Sequence, residues 1–148
     1  MEIVGRTIGL DLGEARIGVA VSDLLGITAQ PLKVIPSRGP ECDAEAIRET
    51  AKENEAIRVV VGMPLDQNGE MGPQALKVQA FVDRLKAMLD IEVVVQDERF
   101  STVAAHRSLA ASGVRAKGRK NIVDIVAAQH ILQTYLDRLA FQRARSRP

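Results

Sequence analysis

Two short runs constrain the architecture more than anything else in the chain. "IRVVVGM", residues 57–63, and "IEVVVQD", residues 91–97, are apolar almost without a break. A strand covered on one face alternates apolar and polar residues, whereas a strand covered on both faces does not. Both runs therefore read as buried strands of a parallel pair. Between them Val78, Phe81, Val82, Leu85, Met88 and Leu89 recur at the spacing of an amphipathic helix. Pro73 suits the first turn of that helix. A strand–helix–strand crossover requires helices over the sheet, so the fold class is α/β.

Upstream, residues 7–12 and 16–22 read as strands and "LKVIP", 32–36, as a third. Their links are short, which predicts an antiparallel meander. "ECDAEAIRETAKENEA", 41–56, reads as an exposed helix with Ser37 or Pro40 near its start. Two helices close the chain, at about 102–112 and 121–140, separated by "SGVRAKGRK". The expected order is βββαβαβαα: a mixed five-stranded sheet, three strands antiparallel and two parallel, with flanking helices. No repeat or linker divides the 148 residues. One domain over 1–140 and a basic, flexible tail over 141–148 are expected.

A hydrophobic content of 46% fits a globular chain. No apolar run reaches the roughly 20 residues of a membrane span. "MEIVGRTIG" lacks a basic segment followed by an apolar one, so no secretory signal is visible. Cys42 is the only cysteine, which excludes an internal disulfide framework and suits a reducing, cytoplasmic setting. The net charge of +1 hides a polarity. Residues 1–98 carry 10 basic and 17 acidic side chains, and residues 99–148 carry 10 basic and 2 acidic. A net of −7 is thus followed by a net of +8. The basic third points to an anionic partner, with a solvated basic helix as the plainer account.

Several acids sit where structure alone does not ask for them. In "IGLDLGEARIGVAVSD", 8–23, Ile8, Leu10 and Leu12 point to one face of a strand, and Gly9, Asp11 and Gly13 to the other. One face is bare except for a carboxylate. Asp97 and Glu98 end the last strand, and open α/β sheets bind ligands at the carboxyl ends of their strands. Asp124 lies in "NIVDIVAAQHIL" and shares a helix face with Ala127, Ala128 and Ile131. Carboxylates converge in a cleft only when protons or cations neutralise them. Oxygen ligands favour Mg²⁺ or Mn²⁺, and two such ions can clamp the attacking and leaving oxygens of a phosphodiester. Each acid also has a structural use. Asp11 would start a turn, Glu98 would pair with Arg99 or Arg16, and Asp124 would answer the helix dipole. Asp97 reads as structural because neighbouring strand residues face opposite ways. His106 and His130 lack metal-ligand spacing. The loop "GMPLDQNGEMG", 62–72, is long for a strand-to-helix link and reads as a working loop near phosphate.

Four motifs then carry a resemblance: "GLDLGEARIGVAVSD", "VVGMPLDQNGEMGPQA", "DERFST" and "KGRKNIVDIVAAQHILQTYLD". Together they resemble the YqgF family, proteins named for pre-16S ribosomal RNA cleavage and for likeness to Holliday junction resolvases. The resemblance runs from about residue 7 to 137. It implies an RNase H-like fold and metal-dependent phosphodiester cleavage. It places the family's acids on Asp11, Glu98 and Asp124, as catalytic residues and as ligands of two Mg²⁺ or Mn²⁺ ions. Arg16 and Arg99 would orient those carboxylates, Ser101 or Thr102 would cap the next helix, and Arg115, Lys117, Arg119 and Lys120 would hold phosphates from a mobile loop. Junction resolvases of this fold carry a further acid three residues after the last one, where this chain has Ala127. Met63 and Asp66 stand where the family more often shows Leu and Asn.

Substrate choice follows from scarcity. Phe81, Phe100, Tyr135 and Phe141 are the only aromatic residues, and Phe81 and Tyr135 fall on core-facing helix positions. Few rings remain for stacking on bases, so phosphates would dominate recognition. RNA, held by a pre-ribosomal particle, ranks above DNA junctions. A junction-cutting DNA nuclease, an actin-like sugar kinase suggested by "DLG", and a non-catalytic RNA-binding or transcription-associated module are the competing readings. Oligomeric state is left open.

Overall fold

The computed structural model describes residues 5–98 and 117–146. Arg99, Phe100, Ser101, Thr102, His106, Arg115 and the helix expected at 102–112 lie outside them. Strands β1 (Arg6–Leu12), β2 (Arg16–Ser22) and β3 (Ala29–Pro36) come first, then helix α1 (Pro40–Glu53). β4 (Ala56–Met63), α2 (Pro73–Met88), β5 (Glu92–Asp97) and α3 (Lys117–Ser146) follow. The sheet order is β3-β2-β1-β4-β5. β1–β2 and β2–β3 are antiparallel, and β1–β4 and β4–β5 are parallel. This is the mixed sheet that the apolar runs and short links require.

The sheet has two unlike faces. On one, Ile8, Leu10, Val59 and Val61 pack against Ile47 of α1 and Val82 and Leu85 of α2, all fully buried. On the other lies α3, whose Ala128, Leu132 and Leu136 meet Ala20, and whose Ala127 and Ile131 meet Val60. Glycines let α3 settle onto this face. A Cβ on Gly9 would stand 2.7 Å from Leu132 Cβ, and one on Gly18 would stand 2.0 Å from the Asp124 carbonyl oxygen. Real atoms cannot approach so closely, so the helix lies directly on strand backbone.

Several boundaries differ from the sequence expectation, each for a local reason. α1 stops at Glu53, because Glu55 takes a positive φ of 50° and turns the chain into β4. β3 begins at Ala29, because the Asp23 carboxylate closes the preceding turn. It accepts hydrogen bonds from the Ile27 and Thr28 backbone N–H groups and from the Thr28 hydroxyl. Lys117, Arg119 and Lys120 fall in the first turn of α3 and not in a loop, as their good helix propensity permits. The basic tail expected from residue 141 is helical as far as Ser146. There the Arg145 guanidinium lies 5.8 Å from the centre of the Phe141 ring, and the Ser146 hydroxyl donates back to the Gln142 carbonyl. No helix among the described residues is long and apolar enough to cross a membrane.

Candidate active site

Asp11 lies near the end of β1, and register defines its surroundings. It pairs with Gly18 on β2. On the other side Leu10 pairs with Val61, so the next residue of β4, Gly62, flanks Asp11. The carboxylate thus sits between two bare Cα positions, on the face covered by α3, and is only 5% exposed. The glycines on either side of Asp11 seat the helix: the Asp124 carbonyl oxygen lies over Gly18 and Ile131 Cδ1 over Gly62.

α3 supplies Asp124. Its carbonyl oxygen presses on Gly18, which fixes the start of the helix against the strand that pairs with Asp11. Its carboxylate is held from the β1–β2 turn: Arg16 Nε donates to Asp124 Oδ2 at 2.8 Å. That turn is tight. Gly13 N–H donates to the Arg16 carbonyl at 2.9 Å, and a Cβ on Gly13 would lie 2.8 Å from the same oxygen. The glycine therefore allows the hairpin that aims Arg16.

Glu98 arrives from β5. Its backbone N–H donates to the Met63 carbonyl at 2.9 Å, continuing the ladder past the strand's end. Its Cγ would be 3.3 Å from a Cβ on Gly62, so its half-buried side chain leans over the glycine next to Asp11. Asp97, one residue earlier, is exposed, and Gln96 is buried. The alternation that sets Asp97 aside thus holds at the strand's end.

Asp11, Glu98 and Asp124 therefore share one face at one end of the sheet, carried by three separate elements. Three carboxylates form a hard-oxygen donor set, which fits Mg²⁺ or Mn²⁺. The side chains have not closed into a ligand cluster. Among the described residues no group of three His, Cys, Asp or Glu side chains is placed to hold a metal, and the Asp124 carboxylate engages Arg16 instead. His130 lies half-buried on α3, outside any such group.

The 62–72 loop is held by its own side chains. Met63 is buried at 4% exposure and belongs to the core. The Asp66 carboxylate turns inward and accepts from the Asn68 and Glu70 N–H groups at 2.9 and 2.8 Å. It works as an internal clamp for the loop. Gln96 was missed by motif reading. It is 2% exposed, faces α3 beside Gly62, and its Oε1 has no hydrogen-bond partner among the described residues. A single amide closing the apolar run "VVVQ" was the available signal.

Comparison with known proteins bears on what this arrangement does. A family model described as RuvX: Holliday junction resolvase matches residues 5–138. A relative from Clostridioides difficile (strain 630), named for pre-16S rRNA nuclease activity, is 47% identical over 90% of this chain and 94% of its own length. One of the same name from Halothermothrix orenii is 48% identical over 89% of this chain and 94% of its own. Among solved structures, the fowlpox virus resolvase in complex with Holliday junction DNA superimposes with a TM-score of 0.56 at 11% identity, covering 90% of this chain and 98% of the other. The Thermus thermophilus RuvC–junction complex gives 0.55 at 14% identity, covering 95% and 96%. At such identities the two structures speak for the fold, which is RNase H-like.

Proposed function

Since the chain belongs to the RuvX family, we propose that it is a metal-dependent nuclease that hydrolyses phosphodiester bonds of RNA and trims the 5′ end of precursor 16S ribosomal RNA. One observation carries the reading. A buried carboxylate, Asp11, stands on a glycine-lined face at the same sheet end as Glu98 and Asp124.

Asp11, Glu98 and Asp124 would hold the cation. Bound there, Mg²⁺ or Mn²⁺ would neutralise charge on the phosphate oxygens and favour attack of water on phosphorus. The chain's own part is positioning. Arg16 orients Asp124, and Arg99 would do the same for Glu98. Lys117, Arg119 and Lys120 start the helix that carries Asp124. With Arg115 just before them, they are suited to bind phosphates flanking the scissile bond.

The family description favours junction cleavage as the second reading. Ala127 weighs against it. This residue is 1% exposed and packed against Val60 and Ile131, so an acid three residues after Asp124 would have to enter the core. RNA held on a pre-ribosomal particle therefore ranks first. The test is side-by-side incubation of a labelled 16S precursor fragment, an unstructured RNA and a synthetic four-way junction, with Mn²⁺ or Mg²⁺ and with chelator. Cleavage of the RNAs that stops with chelator is expected. Paired nicking of the junction with the RNAs left whole would reverse the ranking.

A further inference from the structure

The cavity that invites a ligand lies on the sheet face away from the acids. Leu12 and Ile17 pair across β1 and β2, one step beyond the Asp11–Gly18 pair, so their side chains point to the α1/α2 side. They floor a cavity of about 560 Å³, within the range of small-molecule sites. α2 forms one wall with Lys77, Phe81 and Arg84. These residues are four and three apart, so they share one helix face. The facing wall is the start of α1, where Asp43 is 6% exposed. The Ser37 hydroxyl donates to Asp43 Oδ2 at 2.6 Å and the Arg38 N–H to Oδ1 at 2.8 Å.

The chemistry of the two walls is complementary to one kind of molecule. Lys77 and Arg84 are exposed, and neither has an ion-pair partner among the described residues. They stand about 10.5 Å apart along the helix, seven residues at 1.5 Å each. Between them the half-buried Phe81 offers an aromatic surface over an apolar floor. Opposite, Asp43 and Ser37 present oxygens able to accept from hydroxyl or amino groups. An aromatic platform between two cations is the arrangement that holds a base with the phosphates on either side of it.

We propose that this cavity binds a nucleotide, its base on Phe81, its phosphate on whichever of Lys77 and Arg84 lies on that side of the ring, and its sugar or amino donors toward Asp43 and Ser37. The bound unit belongs either to a single strand of nucleic acid or to a free mononucleotide. The site is separate from the acids and does not depend on the nuclease reading. It touches their geometry at one place, because Gly13 and Glu14 line the cavity within the turn that aims Arg16 at Asp124.

The test is a binding titration of the full chain in chelator, so that no cleavage interferes. The probes are adenosine 5′-monophosphate, adenosine, inorganic phosphate and a short single-stranded oligoribonucleotide, read by backbone amide shifts. Saturable adenosine monophosphate binding is expected, at least tenfold tighter than adenosine or phosphate alone. Lys77→Ala/Arg84→Ala should weaken it at least tenfold, Phe81→Leu severalfold, and Asp11→Asn should leave it unchanged. Both cations are exposed, so the double variant should keep the wild-type circular dichroism. Oligonucleotide binding that falls with the same variants identifies a strand as the source, and mononucleotide binding without it identifies the free nucleotide. Failure of both probes to bind, or binding unchanged in the double variant, would overturn the proposal.

Discussion

The two faces of the sheet are built on opposite rules. Toward α1 and α2, the strands present branched side chains and the helices answer with Ile47, Val82 and Leu85. Contact is side chain to side chain, and volume fills the space. Toward α3, the strands present Gly9, Gly18, Gly62 and Ala20, and the helix backbone itself comes close. The first face gains stability from buried apolar area. The second gives up area and obtains placement: three acids from three elements lie on one face at one end of the sheet. A large-to-small change should therefore harm the first face, and a small-to-large change the second.

The sharpest break in the comparison is Asp11→Asn. The face around Asp11 holds its shape through glycine contacts and the α3 interface, so the fold should survive. Removing a buried carboxylate from beside two others should even raise stability slightly. Cleavage should be lost altogether, with the melting temperature unchanged or higher. Wild-type turnover by the purified variant would end the carboxylate mechanism.

Next comes a matched pair. Leu85→Ala on the α2 face leaves a cavity and should cost about 2–5 kcal/mol in denaturant unfolding, while cleavage of the folded fraction persists. Gly18→Ala on the α3 face adds one methyl where the Asp124 carbonyl oxygen stands 2.0 Å away. Backbone cannot swing aside as a side chain does, so α3 must shift, at about 1–3 kcal/mol. The shift displaces Asp124, so activity should fall further than stability does. Equal proportional losses in both variants would show that the faces do not differ as described.

Arg16→Ala should have a smaller effect. It frees the Asp124 carboxylate without moving the helix backbone. Loss of a group that orients a ligand typically costs about 10–100-fold in activity or metal affinity, and Arg16→Lys should recover part of it. Isothermal titration with Mn²⁺ separates the two variants from any change in folding.

How much of this was legible in the sequence depends on the range of the interaction. The strands showed because burial on both faces leaves a continuous apolar run, and "IRVVVGM" and "IEVVVQD" have no other good explanation. The bare face around Asp11 showed because alternation is local. That Gly18 would lie under Asp124 did not show, since the two positions are 106 residues apart and meet only in the folded sheet. The inward turn of Asp66 and the continuation of α3 through Arg119 and Lys120 were also hidden. Both depend on hydrogen bonds and helix continuation that residue type suggests without requiring. Phe81 does pack against the core, as its helical spacing suggests, but that spacing does not show that the same ring also lines a cavity.

The mildest prediction concerns the β2–β3 turn, where the two faces end and neither rule applies. Asp23 holds it by accepting first from the Ile27 N–H and then from the Thr28 hydroxyl and N–H. The Ile27 bond most of all favours the charged form, and with the Thr28 bonds it holds the carboxyl below the usual aspartate value of 3.8, against the opposing effect of desolvation. A carboxyl lowered on folding contributes stability above its unfolded pKa, and that contribution fades as pH falls through the folded value. Acid below about pH 3.8 should therefore loosen this turn before the sheet opens. Leu24, Leu25 and Ile27, already 50–70% exposed, would lose their fixed arrangement first. Amide exchange at Ile27 and Thr28, followed from pH 6 to pH 3, should quicken with a midpoint under 3.8 once the intrinsic pH dependence is divided out. Asp23→Asn should flatten that profile. If exchange at Ile27 keeps the same pH dependence in the variant, the turn is held by something other than this carboxylate.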